Sequence, residues 1–313
     1  YFTGYEIKDK RLGNLFAFLV AINATLIFYS QEVKFYIMLS MFSGLSLFSL
    51  VRIKNKNDVL SHIIYLLSNT AIIYTFTIGI FYVVAQLIAF LSYTLFKNKK
   101  LFKNFLISNI LLLMLISPFI WYILLNFGKY KGASWIFTSN FFTTFVLIQN
   151  YFTPSLIAVY NNPVIYIPVL KLMPVVFIYA PTIIAFYGIF KAIKINQNHL
   201  FILVIPLIFL LLETILSYNS GLKILTRYTI LAILPLLLLV AIGLNTIKPK
   251  FLKLIIAYLL LINIFFLFAY PTSAVRGYRD LGQKPVTEVL AKNHINKNDT
   301  IILALRKNDF DKY

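Results

Sequence analysis

Residues 29–36 read YSQEVKFY, a short polar segment between two apolar stretches of membrane length, 12–29 and 35–51. Glu32 and Lys34 fall where a spanning helix leaves the bilayer. An ionisable residue at membrane depth is costly, so it either marks a site or snorkels its charge into the headgroups. The composition around the segment settles the class. Hydrophobic residues make up 60% of the 313, charged residues only 12%, and the mean hydropathy is +0.83. A soluble domain of this size does not have that balance. The apolar runs are long and do not alternate, which predicts membrane-spanning helices and not a barrel.

Nine spans are expected, at roughly 12–29, 35–51, 59–75, 77–96, 105–127, 172–191, 200–217, 228–245 and 252–270. The third and fourth form one unbroken apolar run, too long for a single span of ~20 residues. Its break is expected at Thr75–Thr77. One set of loops holds Arg52, Lys54 and Lys56, then Lys97, Lys99, Lys100 and Lys103, then Lys191 and Lys194, then Lys248, Lys250 and Lys253. Asp58 is the acid among them. The opposite short loops hold fewer cations: Lys34, Lys129, Lys131, Lys223 and Arg227, with Glu32. The richer set is therefore read as cytoplasmic, together with Lys8, Lys10 and Arg11. The net charge of +19 is spent on orientation and does not point to nucleic acid. The chain has no cysteine, so it has neither a disulfide nor a thiolate metal site.

On the outer side the longest connection is 128–171. Its residues 135–152 (WIFTSNFFTTFVLIQNYF) mix aromatic and apolar side chains with Ser, Thr and Asn. An interfacial helix on the outer leaflet is the expectation, with a loop packed on neighbouring helices as the alternative. Residues 1–270 read as the membrane domain. After Pro271 charge becomes dense: 285–295 read as a short helix, NKNDT as a turn and IILAL (301–305) as a buried strand. This looks like the start of a small α/β domain outside the membrane, spanning 271–313. The chain begins at Tyr1 and not at Met, and it reads as a fragment cut at both ends.

Polar clusters gather at the outer ends of spans. They are Tyr29, Gln31, Glu32, Lys34 and Tyr36; Glu213; and Arg227 with Tyr228. Arg offers a planar fork to phosphate oxygens, so cations and phenols here suit a lipid-linked phosphate. Carboxylates can orient a sugar or hold a divalent metal, and the metal requirement stays open. Snorkelling of Arg227, helix packing by Glu213 and ordinary belt positions for the tyrosines are the competing readings. His62, His199 and His294 are scattered and make no ligand set. No Gly-rich phosphate loop, GxSxG or HExxH is present.

The order of the motifs carries a resemblance. YSQEVKFY (29–36) is followed by a basic turn, IIYTFTIGIFYVVAQL (72–87), ASWI (133–136), LTRYTILAILP (225–235) and YRDLGQKPVTEVLAKNHINKNDTIIL (278–303). That succession resembles bacterial glycosyltransferase family 39 and is similar to protein O-mannosyltransferases and lipid A aminoarabinose transferases, which share the membrane GT-C architecture. Gln31, Glu32 and Tyr36 match the family's first motif, with Lys34 in place of Arg. Arg227, Tyr228 and Pro235 match its RY motif. The family often carries His in a THY-like triplet; here the triplet is Thr75-Phe76-Thr77.

The resemblance implies an enzyme in the bacterial inner membrane, active on the outer face. It would transfer a sugar from a polyprenyl-phosphate donor to a lipid, glycan or protein acceptor. The resemblance also places the catalytic Asp upstream of Tyr1, with about four further spans, so no catalytic residue is expected within 1–313. A flippase for lipid-linked oligosaccharide is the rival from another class. It predicts internal repeats and helices broken at mid-membrane, and no clear repeat is found. A polysaccharide polymerase or ligase would depend on an outer loop rich in Arg and His, and 128–171 has neither.

Overall fold

The structure is a computed structural model that describes residues 1–31, 35–97, 99–126, 148, 151–152, 175–195, 200–220 and 229–270. Among these residues every regular element is helical. Their order is α1 (Phe2–Ile7), α2 (Lys10–Ile22), α3 (Ala24–Gln31), α4 (Tyr36–Asn55), α5 (Val59–Thr75), α6 (Gly79–Lys97), α7 (Lys99–Asn126), α8 (Val175–Ile195), α9 (Leu200–Ser220), a 3-10 turn (Ile230–Ala232), α10 (Ile233–Leu244) and α11 (Pro249–Tyr270). The 271–313 tail with its expected α/β start lies outside the described residues, as does nearly all of 128–171.

Local chemistry sets the ends. Asp9 caps α2, its carboxylate accepting from Leu12 N at 2.8 Å. α4 stops where Asn57 takes a left-handed φ of 51° and its N–H reaches the Ile53 carbonyl at 3.0 Å. The break expected at Thr75–Thr77 is present: α5 ends at Thr75, Phe76 is extended, and α6 starts at Gly79. α11 opens on Pro249, whose missing N–H has no partner to lose in a first turn.

α10 is the centre of the bundle. All its residues from Ile233 to Leu244 are buried, and α2, α4, α8 and α9 pack around it. A helix that is apolar all round needs such a surround. Helix α7 is the opposite case. It packs on α5 and α6 and turns Leu113, Met114, Leu124 and Leu125 outward, each more than half exposed. Trp121 and Tyr122 are exposed near its end, as aromatic residues are at a membrane interface. Tyr36–Asn55 and Lys100–Asn126 are long and apolar enough to cross a membrane, with mean hydropathies of 1.6 and 2.1. α2 and α3 make a third such stretch when taken together, but they are bent by 59°. The span expected over 12–29 corresponds to this bent pair, with its break at Asn23.

The basic loops meet at one end. Lys56 pairs with Glu6 at 2.6 Å, Asn55 Nδ2 donates to the Glu6 carbonyl at 2.6 Å, and Arg11 donates to the Ile247 carbonyl at 3.4 Å. Lys54 Nζ lies 5.6 Å from the Tyr93 ring centroid and 5.7 Å from that of Phe201. Asp58 accepts from Arg52 Nη2 at 2.8 Å and Nε at 3.2 Å, and caps α5 through Ser61 N at 2.8 Å.

Arg52 first, and Ser61 second, hold the Asp58 carboxyl well below the usual carboxylate range. A depressed carboxyl stabilises the fold above its unfolded pKa of about 4 and loses that contribution as pH falls towards its folded value. Asp58→Asn keeps the cap and removes the ion pair. In detergent, the wild-type melting temperature is expected to fall more steeply than the variant's between roughly pH 5 and pH 3. Parallel slopes would remove Asp58 as the cause.

Candidate functional site

The polar break in the α2–α3 pair is built by two asparagines. Asn23 is extended (φ −65°, ψ 111°), and its Oδ1 accepts from Leu26 N at 3.0 Å, capping α3. Its Nδ2 donates to the Tyr151 carbonyl at 2.8 Å. From α11, Asn263 Oδ1 accepts from Ala24 N at 3.1 Å, and its Nδ2 returns to the Leu259 carbonyl at 2.8 Å. Free backbone amides inside an apolar bundle are expensive, so these side chains make the bend tolerable.

The bend aims α3 so that Tyr29 packs on Tyr36, with ring centroids 5.7 Å apart and planes at 66°. Both residues are buried. Tyr151 is fully buried and donates its hydroxyl to the Thr229 carbonyl at 3.0 Å. It lies within electrostatic reach of both Glu213 and Tyr29. Thr229 is itself buried, directly before the 3-10 turn that leads into α10. Thus α3, α4, α9, the 151–152 segment and the start of the central helix share one cluster.

Glu213 is the chemical centre of that cluster. It is 4% exposed, and neither carboxyl oxygen meets a hydrogen-bond donor among the described residues. A carboxylate buried in its charged form without a partner costs several kcal/mol or more. One turn back on α9, Phe209 sets its edge on Tyr82, with centroids 5.5 Å apart and planes at 84°. Below it runs a polar seam. Ser43 Oγ lies 3.0 Å from Tyr82 Oη and donates to the Leu231 carbonyl at 3.1 Å, and Ser46 Oγ bridges Asn69 (3.1 Å) and Gln86 (2.8 Å).

The cluster is far from the basic end. α4 carries Tyr36 at one end and Asn55 at the other, ~30 Å apart at the helical rise. On α9, Glu213 stands ~18 Å along the axis from Phe201, which Lys54 touches. His62 is bonded to Asn57 at 2.9 Å and Ser108 at 2.7 Å, away from the cluster. Among the described residues no three His, Cys, Asp or Glu side chains converge.

Of the residues singled out from the sequence, Tyr36 and Glu213 belong to the described cluster, with Tyr29 beside them. Glu32, Lys34, Arg227, Tyr228 and the side chain of Gln31 lie outside the described residues. Sequence reasoning misses Asn23, Tyr151 and Thr229. Asn23 had a signal, a lone amide within an apolar run. Tyr151 and Phe152, at the end of the segment expected on the leaflet surface, are buried. Comparison of the chain with protein-family models, curated proteins and solved structures gives no match. What the fold defines is a class: a helical protein with helices able to cross a membrane and a buried carboxylate inside the bundle.

Proposed function

We propose that this chain is part of a GT-C-type membrane glycosyltransferase with nine spans in the bacterial inner membrane. Its basic loops face the cytoplasm. It moves a sugar from a polyprenyl-phosphate donor to an acceptor at the outer face. The observation that carries the reading is the Glu213 carboxyl, buried without a donor among the described residues, within electrostatic reach of Tyr151 and at a distance from the basic end. Burial of this kind is retained where a ligand completes the site. The ordered motifs supply the rest. Arg227 stabilises the departing polyprenyl phosphate, with Lys34 beside it in role. Gln31 and Glu32 orient sugar or acceptor, and Tyr36 and Tyr228 frame the site. Helices α8, α9 and α11, of 21, 21 and 22 residues, have the length that spans require.

The bend at Asn23 is the observation that favours a flippase, since transporters use broken helices at mid-membrane. In such transporters the freed helix terminus faces substrate. Here the amides of Ala24 and Leu26 are taken by Asn263 and Asn23, so the break is closed by the protein itself.

The test is transfer of a radiolabelled sugar from polyprenyl phosphate to membrane acceptors. In the full protein, with the upstream catalytic part that this chain alone would lack, Arg227→Ala is expected to cut transfer about a hundredfold or more at unchanged membrane level, as loss of a charge-stabilising donor does. Wild-type turnover in that variant would remove Arg227 from the site. Movement of the lipid-linked sugar with no new glycosidic bond would replace the transferase reading by the flippase.

A further inference from the structure

We infer that the basic end of the bundle carries a binding site for the headgroup of an anionic membrane phospholipid, built where the start of α2 meets the start of α11. It stands apart from the reaction proposed above. Lys10 and Arg11 open α2, with Lys8 just before it. Lys248 stands just before α11, and Lys250 and Lys253 lie in its first turns. All of these side chains are exposed. The fold joins the two groups across 236 positions of sequence, because Arg11 donates to the Ile247 carbonyl at 3.4 Å. The acids beside them are already engaged. Glu6 takes Lys56 at 2.6 Å, and Asp9 caps α2 through Leu12 N at 2.8 Å. A surplus of positive charge is left at the edge of an apolar bundle. A phosphodiester answers that charge, and Arg and Lys are its usual protein partners.

A soluble anion and a lipid share that phosphate chemistry, and the rest of α11 decides between them. Lys250, Lys253, Leu254, Ala257, Leu261 and Ile264 lie along one face of the helix, and all are exposed. Cations come first and apolar side chains follow, the order of phosphate and acyl chain in a phospholipid. From Lys253 to Ile264 the helix rises ~16 Å, about half of the ~30 Å hydrocarbon core and so one leaflet. A free anion would use the cations and leave this face unused. Helix α11 packs on α2 and α3. A headgroup shared between Arg11 and the first lysines of α11 gives that helix a second attachment, besides the bond from Ala24 N to Asn263.

The experiment places the full chain in nanodiscs of phosphatidylcholine with a minor share of phosphatidylglycerol and reads retained lipid by native mass spectrometry. Wild type is expected to retain phosphatidylglycerol about tenfold or more over phosphatidylcholine, with the preference falling as salt rises. Each cation near a lipid surface contributes about fivefold in affinity, so Lys248→Gln/Lys250→Gln/Lys253→Gln should cut the preference more than tenfold. Lys100→Gln/Lys103→Gln/Lys194→Gln makes the same change of charge at other exposed lysines and should leave it within about twofold. Should the first triple variant lose its monodisperse peak, Lys250→Gln/Lys253→Gln decides in its place. No preference in wild type, a preference kept without the α11 lysines, or an equal loss in the control overturns the site. Displacement of the lipid by millimolar inorganic phosphate at constant ionic strength would assign the cations to a soluble anion and overturn it as well.

Discussion

Gly243→Leu is expected to destroy the folded bundle: the variant should lose its monodisperse peak in detergent, and Gly243→Ala should already melt well below wild type. The cause is the crossing of α8 and α10. A Cβ added at Gly243 would overlap the Gly188 carbonyl oxygen, and one added at Gly188 would meet Val240 Cα and O at 3.0 Å. Two backbones touch there with no side chain between them. Small residues at helix crossings permit that approach, and membrane helices associate largely through such contact. Overpacking a core ordinarily costs about 1–3 kcal/mol because side chains can shift. Here the obstacle is backbone, and α10 is buried on every side with no free direction to move. The cost should exceed ~3 kcal/mol, a large part of a typical stability. Gly44 is the control. Its added Cβ would meet only the tip of Leu234 at 3.1 Å, so Gly44→Ala should melt close to wild type. A Gly243→Leu protein that melts like wild type would show that α8 and α10 do not cross at these glycines.

The glycine pair also shows what the sequence concealed. The break after Thr75 was legible because an apolar run can be no longer than the bilayer allows. The basic loops were legible because Lys and Arg are excluded from hydrocarbon. The central place of α10 was not legible. Its Leu-rich sequence has the composition of a lipid-facing helix, and its enclosure shows in its packing, most sharply where Gly243 meets Gly188. That information lies in the pairing of distant residues, to which periodicity is blind. The same holds for the site. Glu213 stood out as a carboxylate in an apolar run. Tyr151 did not, because its role runs through backbone carbonyls: its own accepts from Asn23, and its hydroxyl donates to that of Thr229. Any residue type can offer a carbonyl, so such partners leave no trace in side-chain chemistry.

Asn23→Leu is expected to straighten the α2–α3 pair and to pull the site apart, with a loss of about 2–6 kcal/mol. The side chain makes two bonds to buried backbone, one from Leu26 N and one to the Tyr151 carbonyl. Orphaning a buried backbone group costs about 1–3 kcal/mol, so losing both gives this range. Leucine also favours the helical backbone that Asn23 interrupts. A straight helix from Lys10 to Ser30 would be ~30 Å long, and the 59° bend shortens it by ~3–4 Å. The chain has no cysteine, so spin labels at Lys10→Cys and Ser30→Cys report that distance without interference. Asn263→Leu orphans one buried amide, Ala24 N, and loses a bond to the Leu259 carbonyl within α11, so it should cost about half as much, with the bend retained. Straightening would swing Tyr29 away from Tyr36 and loosen Tyr151 from Thr229, because all are reached through Asn23. The labelled Asn23→Leu protein should therefore show a longer distance and, on the proposed function, weaker binding of the lipid-linked donor. An unchanged distance with normal binding would mean that packing of α3 on α4 and α11 holds the bend, and that Asn23 only decorates it.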